Sequence, residues 1–176
     1  MVAQDKVTLV IGGCRSGKSS YALRLANDID TGGKKFLATS LILDEEMEDR
    51  VAKHRQERGS EWETMETPLD LPQVLSRDFD QDTLLLVDCL TMWVNNMLLR
   101  EWSEDEVIAA IYSLRRALEN VEVPVVLISN EVGTGIVPES PLSRAFRDHV
   151  GKLNQEAAAC ADRVFWMVAG IPVNIK

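Results

Sequence analysis

The stretch Val7-Thr8-Leu9-Val10-Ile11-Gly12-Gly13-Cys14-Arg15-Ser16-Gly17-Lys18-Ser19 opens as an apolar run of strand type, and from Gly12 to Ser19 it meets the pattern G-x-x-x-x-G-K-[ST] without a mismatch. A loop of this kind turns backbone N–H groups toward a phosphate chain, and glycine allows the close approach that a side chain would obstruct. Lys18 would reach the outer phosphates, the Ser19 hydroxyl would ligate Mg2+, and the positive end of the following helix would face the anion. The flanks agree, because Tyr21, Ala22, Leu25, Ala26 and Ile29 line one helical face directly after the loop. A glycine turn that merely contains a lysine has no reason to lie between such a strand and such a helix.

Around that loop, the 176 residues suffice for one domain with a substantial core and are too few for two of ordinary size, which predicts a single P-loop nucleotide-binding transferase domain over 1–176. An apolar fraction of 45% and a charged fraction of 27% are those of a globular chain rather than a disordered or fibrous one. The first strand begins after six residues, without a basic region, hydrophobic stretch and cleavage site, so the expected location is the cytoplasm. Leu84 to Leu99 is the most apolar region, but Asp88, Asn95 and Asn96 interrupt it, and no membrane span is expected. Cys14, Cys89 and Cys160 are odd in number and have no metal-ligand spacing, which favours reduced thiols over a disulfide framework or a zinc site. A net charge of −9 argues against a nucleic-acid surface but not against a nucleotide.

Further along, apolar patterning predicts a strand at Lys35 to Thr39, a helix from about Asp44 to Arg58, and an extended segment at Trp62 to Met65. A helix at Leu69 to Arg77, the strand Thr83 to Asp88, and helices at Leu90 to Arg100 and Glu104 to Asn120 follow. Ser103 with Glu106 reads as a capping box. Val123 to Ser129 is a further strand, Pro141 to Ala161 a helix, and Arg163 to Ala169 the last strand. The continuous run Leu84-Leu85-Leu86-Val87 suits a strand covered on both faces, so the alternation predicts an α/β layer sandwich with a mainly parallel sheet. Ligands in such folds bind at the carboxyl ends of the strands.

Asp88 closes that run, and its carboxylate would emerge beside the loop as a Mg2+ partner, with a cap for the helix from Leu90 as the alternative. The aspartate-x-x-glycine and asparagine-lysine-x-aspartate motifs of GTPase switches are missing, since Cys89-Leu90-Thr91 follow Asp88 and Glu131-Val132-Gly133 follow Asn130. A motor ATPase of the recombinase type calls for a longer chain and a nucleic-acid surface, which leaves small-molecule phosphoryl or nucleotidyl transfer. His54, one of two histidines beside His149, lies at the edge of the stripe Leu43, Met47 and Val51 with Arg50, Lys53, Arg55 and Arg58 around it. A neutral imidazole there could attack phosphorus and hold the group covalently. Glu46 with Arg50 and Asp49 with Lys53 are also acid-before-base pairs four apart, as on any solvated helix.

Several motifs together resemble one family, the bifunctional adenosylcobinamide kinase and adenosylcobinamide-phosphate guanylyltransferase of cobalamin biosynthesis. The likeness is carried by Gly12 to Ser19, Ala38-Thr39-Ser40 with Asp44-Glu45-Glu46-Met47, and His54. It continues through Asn130 to Pro138, Phe146-Arg147-Asp148 with Gly151 and Asn154-Gln155, and the tail Gly170 to Lys176. The resemblance implies a P-loop NTPase-type three-layer sandwich with a RecA-like sheet, and two reactions at one nucleotide site. The hydroxyl of adenosylcobinamide is phosphorylated with ATP or GTP; then a histidine attacks the α-phosphorus of GTP, pyrophosphate leaves, and GMP passes to adenosylcobinamide phosphate, giving adenosylcobinamide-GDP.

By that likeness His54 is the nucleophile, and Gly12, Gly13, Cys14, Arg15, Ser16, Gly17, Lys18 and Ser19 hold phosphates. Ala38, Thr39 and Ser40 line the nucleotide site, Arg55, Gln56, Glu57 and Arg58 follow the nucleophile, and Glu66 and Asp88 match acidic positions there. Ser19 and Asp88 would hold Mg2+, and a homotrimer is implied. Lys53 stands where some members have a second histidine, and Cys14 replaces a commoner small residue. Asp88 is a shorter acid than the glutamate of other members. The sequence shows no distinct base for the substrate hydroxyl, so guanylylation alone is one alternative; the others are a kinase without a covalent step and a GTP-responsive binding module. Trp93, Met97 and Trp102 would serve a subunit interface or the core.

Overall fold

The computed structural model describes residues 5–41 and 58–176. Strand β1 (Val7–Gly12) feeds the glycine loop, from which α1 (Lys18–Asn27) leaves, followed by β2 (Gly33–Ala38). Then come β3 (Trp62–Glu66), α2 (Leu71–Leu75), β4 (Thr83–Asp88), α3 (Leu90–Leu99) and α4 (Glu104–Asn120). Strand β5 (Val125–Asn130), α5 (Pro141–Cys160), β6 (Arg163–Val168) and β7 (Ile171–Asn174) complete the order. The strands form one sheet in the order β3-β2-β4-β5-β1-β6-β7, parallel throughout except for the antiparallel β6–β7 pair.

The period of two along each strand separates the core into two layers. In β4, Leu84 and Leu86 join Val10, Val126 and Ile128 against Ala22 and Ala26 of α1. Leu85 and Val87 turn the other way, with Leu9, Leu37 and Leu127, into a larger cluster that takes in Trp93 and Met97 of α3, Ile111 and Leu114 of α4, and Val150 and Leu153 of α5. Both faces of β4 are buried, as the unbroken apolar run predicts, and the expected α/β sandwich is what forms. Trp93 and Met97 are fully buried, which resolves their two readings in favour of core, and Trp102 packs against the same cluster.

Differences from the expected elements are local. The second strand begins two residues earlier, at Gly33, and ends at Ala38. The helix expected over Leu69 to Arg77 contracts to Leu71–Leu75, with Pro72 in its first turn, where a missing N–H costs nothing. The tail forms β7, reached by a two-residue turn in which Ala169 (φ 51°) and Gly170 (φ 84°) both take positive φ. Pro172 is tolerated there because β7 is the edge strand. The helix expected from Asp44 to Arg58 lies, except for Arg58, outside the described residues.

Candidate active site

Parallel pairing brings the carboxyl ends of β1, β2, β4 and β5 to one edge of the sheet, with Gly12 in register with Asn130 and Ala38 with Asp88. The loop from Gly12 to Ser19 crosses that edge. Gly12 sits under it with no room for a side chain: an added Cβ would lie 2.5 Å from Ser16 Oγ and 2.9 Å from the Met167 carbonyl oxygen. Gly17 holds φ 88°, a left-handed conformation that glycine adopts without penalty. The β6–β7 turn buttresses the loop from outside, as the Gly170 N–H donates to Ser16 O at 3.0 Å.

Among the described residues no side chain caps α1 and no acid lies in its first turn, which suits its leading N–H groups to an anion. Lys18 lies back along the loop, its Nζ donating to Gly13 O at 3.2 Å. Ser19 and Asp88 face one cavity of about 380 Å3, together with Phe36 and Arg58. The buried Arg58 guanidinium stacks 3.4 Å from the centre of the Phe36 ring. A hydroxyl and a carboxylate facing one space are hard oxygen donors of the kind Mg2+ takes, with phosphate oxygens and water completing its shell. The N-cap position of α3 falls on Cys89 rather than Asp88.

Burial pushes the Cys89 thiol up to about 12, helped by the charge of Asp88 and opposed by Lys18. Cys89 is therefore a protonated core group rather than a nucleophile. Thr39 is fully buried and ties β2 to this turn: its hydroxyl donates to Cys89 O at 2.7 Å and accepts from Cys89 N–H at 2.8 Å. Asn96 of α3 then donates to Thr39 O at 2.6 Å, so the Ala38 to Ser40 segment is held by the turn after β4 and by α3 together. Glu66 ends β3, in register with Ala38. The structure thus brings Gly12 to Ser19, Ala38 to Ser40, Arg58 and Asp88 to one edge of the sheet, and Glu66 stands at its β3 end. His54, Arg55, Gln56 and Glu57 lie outside the described residues.

One further acid stands at this edge. Glu131 follows β5 as Asp88 closes β4, its N–H donating to Gly12 O at 3.0 Å. The signal was an acidic residue just past a buried apolar strand, the same one that marked Asp88.

A parallel sheet with a glycine loop between β1 and α1, a lysine, a hydroxyl and a strand-end acid defines a P-loop nucleotide-binding α/β protein. The RadB recombinase superposes with a TM-score of 0.54 at 16% identity, covering 92% of this chain and 73% of that one. A Pyrococcus horikoshii protein does so with a TM-score of 0.56 at 10% identity, covering 98% and 86%. These likenesses establish the fold alone. The family model for cobinamide kinase / cobinamide phosphate guanyltransferase matches residues 8–175, and the chain belongs to that family. It is 42% identical to the Escherichia coli bifunctional adenosylcobalamin biosynthesis protein CobU, over 96% of this chain and 98% of that protein. To CobP of Pseudomonas aeruginosa, which carries the same description, it is 39% identical over 96% of each chain.

Proposed function

We propose that this chain phosphorylates adenosylcobinamide with ATP or GTP and then guanylylates the product through His54, giving adenosylcobinamide-GDP. Membership of a family named for both activities, over residues 8–175, carries this reading. In the first step, the N–H groups of Gly13 to Lys18 and the Lys18 ammonium hold the phosphates, so that the substrate hydroxyl oxygen attacks the γ-phosphorus and the nucleoside diphosphate leaves. In the second, a His54 ring nitrogen bonds to the α-phosphorus of GTP while the bond to pyrophosphate breaks. The phosphate of adenosylcobinamide phosphate then takes the GMP and frees the imidazole. Mg2+, held by Ser19 and Asp88 with the phosphates, would supply charge neutralisation.

Ala38 to Ser40, Arg55 to Arg58 and Glu66 complete the nucleotide site in this proposal. Arg58, four residues after His54, lines the cavity shared by Ser19 and Asp88, which supports placing the nucleophile's segment there. One transferase domain, a homotrimer and a cytoplasmic location belong to the same proposal. Among the described residues no helix is long and apolar enough to cross a membrane.

GTP labelled on its α-phosphate tests the covalent step. The expected result is an acid-labile, base-stable protein adduct that forms with wild type and is lost in His54→Ala. No adduct with wild type, alongside intact phosphorylation of adenosylcobinamide, would leave a kinase without a covalent intermediate.

A further inference from the structure

A second cavity, of about 340 Å3, opens along the other flank of the loop. Its floor is the loop from Gly13 to Ser16, its far wall is Trp166 to Ala169, and Glu131 is the acidic side chain among its lining residues. Trp166 and Val168 are 40% and 44% exposed, so the wall offers apolar surface to an incoming molecule. The cavity therefore combines a phosphate cradle, a carboxylate and an apolar face. Those are the features needed where an acceptor hydroxyl must meet a phosphate bound on the loop.

Glu131 is held in place from several sides. Its N–H is bonded to Gly12 O, and its Oε1 accepts the Gly133 N–H at 2.5 Å. The loop beneath it is pinned by Arg147, which donates to Gly133 O at 2.7 Å, and by Asn154, which donates to Asn130 O at 3.0 Å. The other acids of this edge have different surroundings: Asp88 shares the opposite cavity with Ser19, and Glu66 ends the strand at the far side of the sheet.

We propose that Glu131 is the general base of the kinase step, an assignment that rests on the kinase half of the proposed function. As the substrate oxygen bonds to the γ-phosphorus and the bond to the leaving nucleoside diphosphate breaks, the hydroxyl proton passes to the Glu131 carboxylate. An acid in this role orients the hydroxyl and collects its proton, as the catalytic aspartate of protein kinases does. The phosphorylated acceptor of the second reaction has no such proton to lose.

The two half-reactions of the full chain, assayed separately, test the assignment. One is transfer of the γ-phosphate of ATP to cobinamide, and the other is transfer of GMP from GTP to cobinamide phosphate. Glu131→Gln is expected to lower the kinase kcat by about 100-fold or more with a nucleotide KM within about threefold of wild type. Guanylyl transfer should fall by no more than about threefold. Glu131→Asp should recover part of the kinase rate, and its own selective loss serves as the measurement if Glu131→Gln does not fold. Gly133→Ala provides an independent handle, because its Cβ would lie 2.8 Å from Glu131 Oε1 and displace the carboxylate. A kinase rate within about threefold of wild type in Glu131→Gln, or an equal loss of both activities, overturns the base assignment alone. If wild type makes no cobinamide phosphate, the kinase reading falls and the assignment falls with it.

Discussion

At Gly12 there is no space for a methyl group, because Ser16 Oγ, Met167 Cβ and Met167 O all lie within 2.9 Å of where its Cβ would be. Gly12→Ala should therefore cost about 1–3 kcal/mol in urea unfolding, the usual range for overpacking a dense site. The thiols separate by environment. Cys14 is exposed on the phosphate loop, whereas Cys89 is buried with its thiol pushed up to about 12. A thiol reagent at neutral pH should modify Cys14 in the native protein and reach Cys89 only on unfolding. GTP at ten times its Kd should slow the Cys14 reaction about tenfold, in proportion to the vacant fraction. Because the folded value of Cys89 lies above its ordinary 9.0, its stabilising contribution is complete below pH 9 and is lost as pH rises toward 12. The stability gap between wild type and Cys89→Ala should shift accordingly over that range. The sequence named the loop residues directly; the pressure on Gly12 from Met167, 155 positions away, was not legible there.

Among the elements, α4 shows how far local chemistry can be read. The expected capping box is present: Ser103 Oγ accepts the Glu106 N–H, and Glu106 accepts the Ser103 N–H at 2.7 Å. Ser103→Ala should cost about 1 kcal/mol by thermal or urea unfolding. The hydrogen bond from the Ser103 side chain, then that from its backbone, lowers the Glu106 carboxyl below its ordinary value. The box therefore contributes above the usual carboxylate range and fades as pH falls through the lowered value, so the gap between wild type and Ser103→Ala should narrow in acid. In α3, Trp93 is wholly buried and donates from Nε1 to Leu69 O at 3.0 Å. Trp93→Ala should cost about 3–5 kcal/mol by the same measurement. Spacing alone left Trp93 between core and interface, since an apolar helix residue reads the same in both. Strand β7 was missed because Pro172 demotes a strand in sequence, and Ala169 does not advertise a positive φ.

At the scale of the whole molecule, the outermost hairpin leaves Trp166, Val168, Ile171 and Val173 exposed, with β7 at the sheet edge among the described residues. Apolar edges of this kind are prone to association, which fits the proposed homotrimer. Sedimentation equilibrium should give three times the 19.7 kDa of one chain. The paired change Ile171→Asp and Val173→Lys should shift that mass toward the single chain if the hairpin carries the contact. A single-chain mass for wild type sinks the trimer. Order in the sheet had no reading in the sequence, since which strands neighbour one another depends on crossovers between distant segments.

By itself, the sequence determined the layered α/β class, the phosphate loop, the capping box and the family, because each is written in local spacing or contiguous motifs. The tertiary structure decided what those residues face. Parallel pairing set Gly12 beside Asn130 and Ala38 beside Asp88, and so gathered the ends of separate strands at one edge. It also put Ser19 and Asp88 on one flank of the loop and Glu131 on the other. Such juxtapositions arise from long-range packing of apolar faces, in which a residue's partners are chosen by the sheet rather than by its neighbours in the chain.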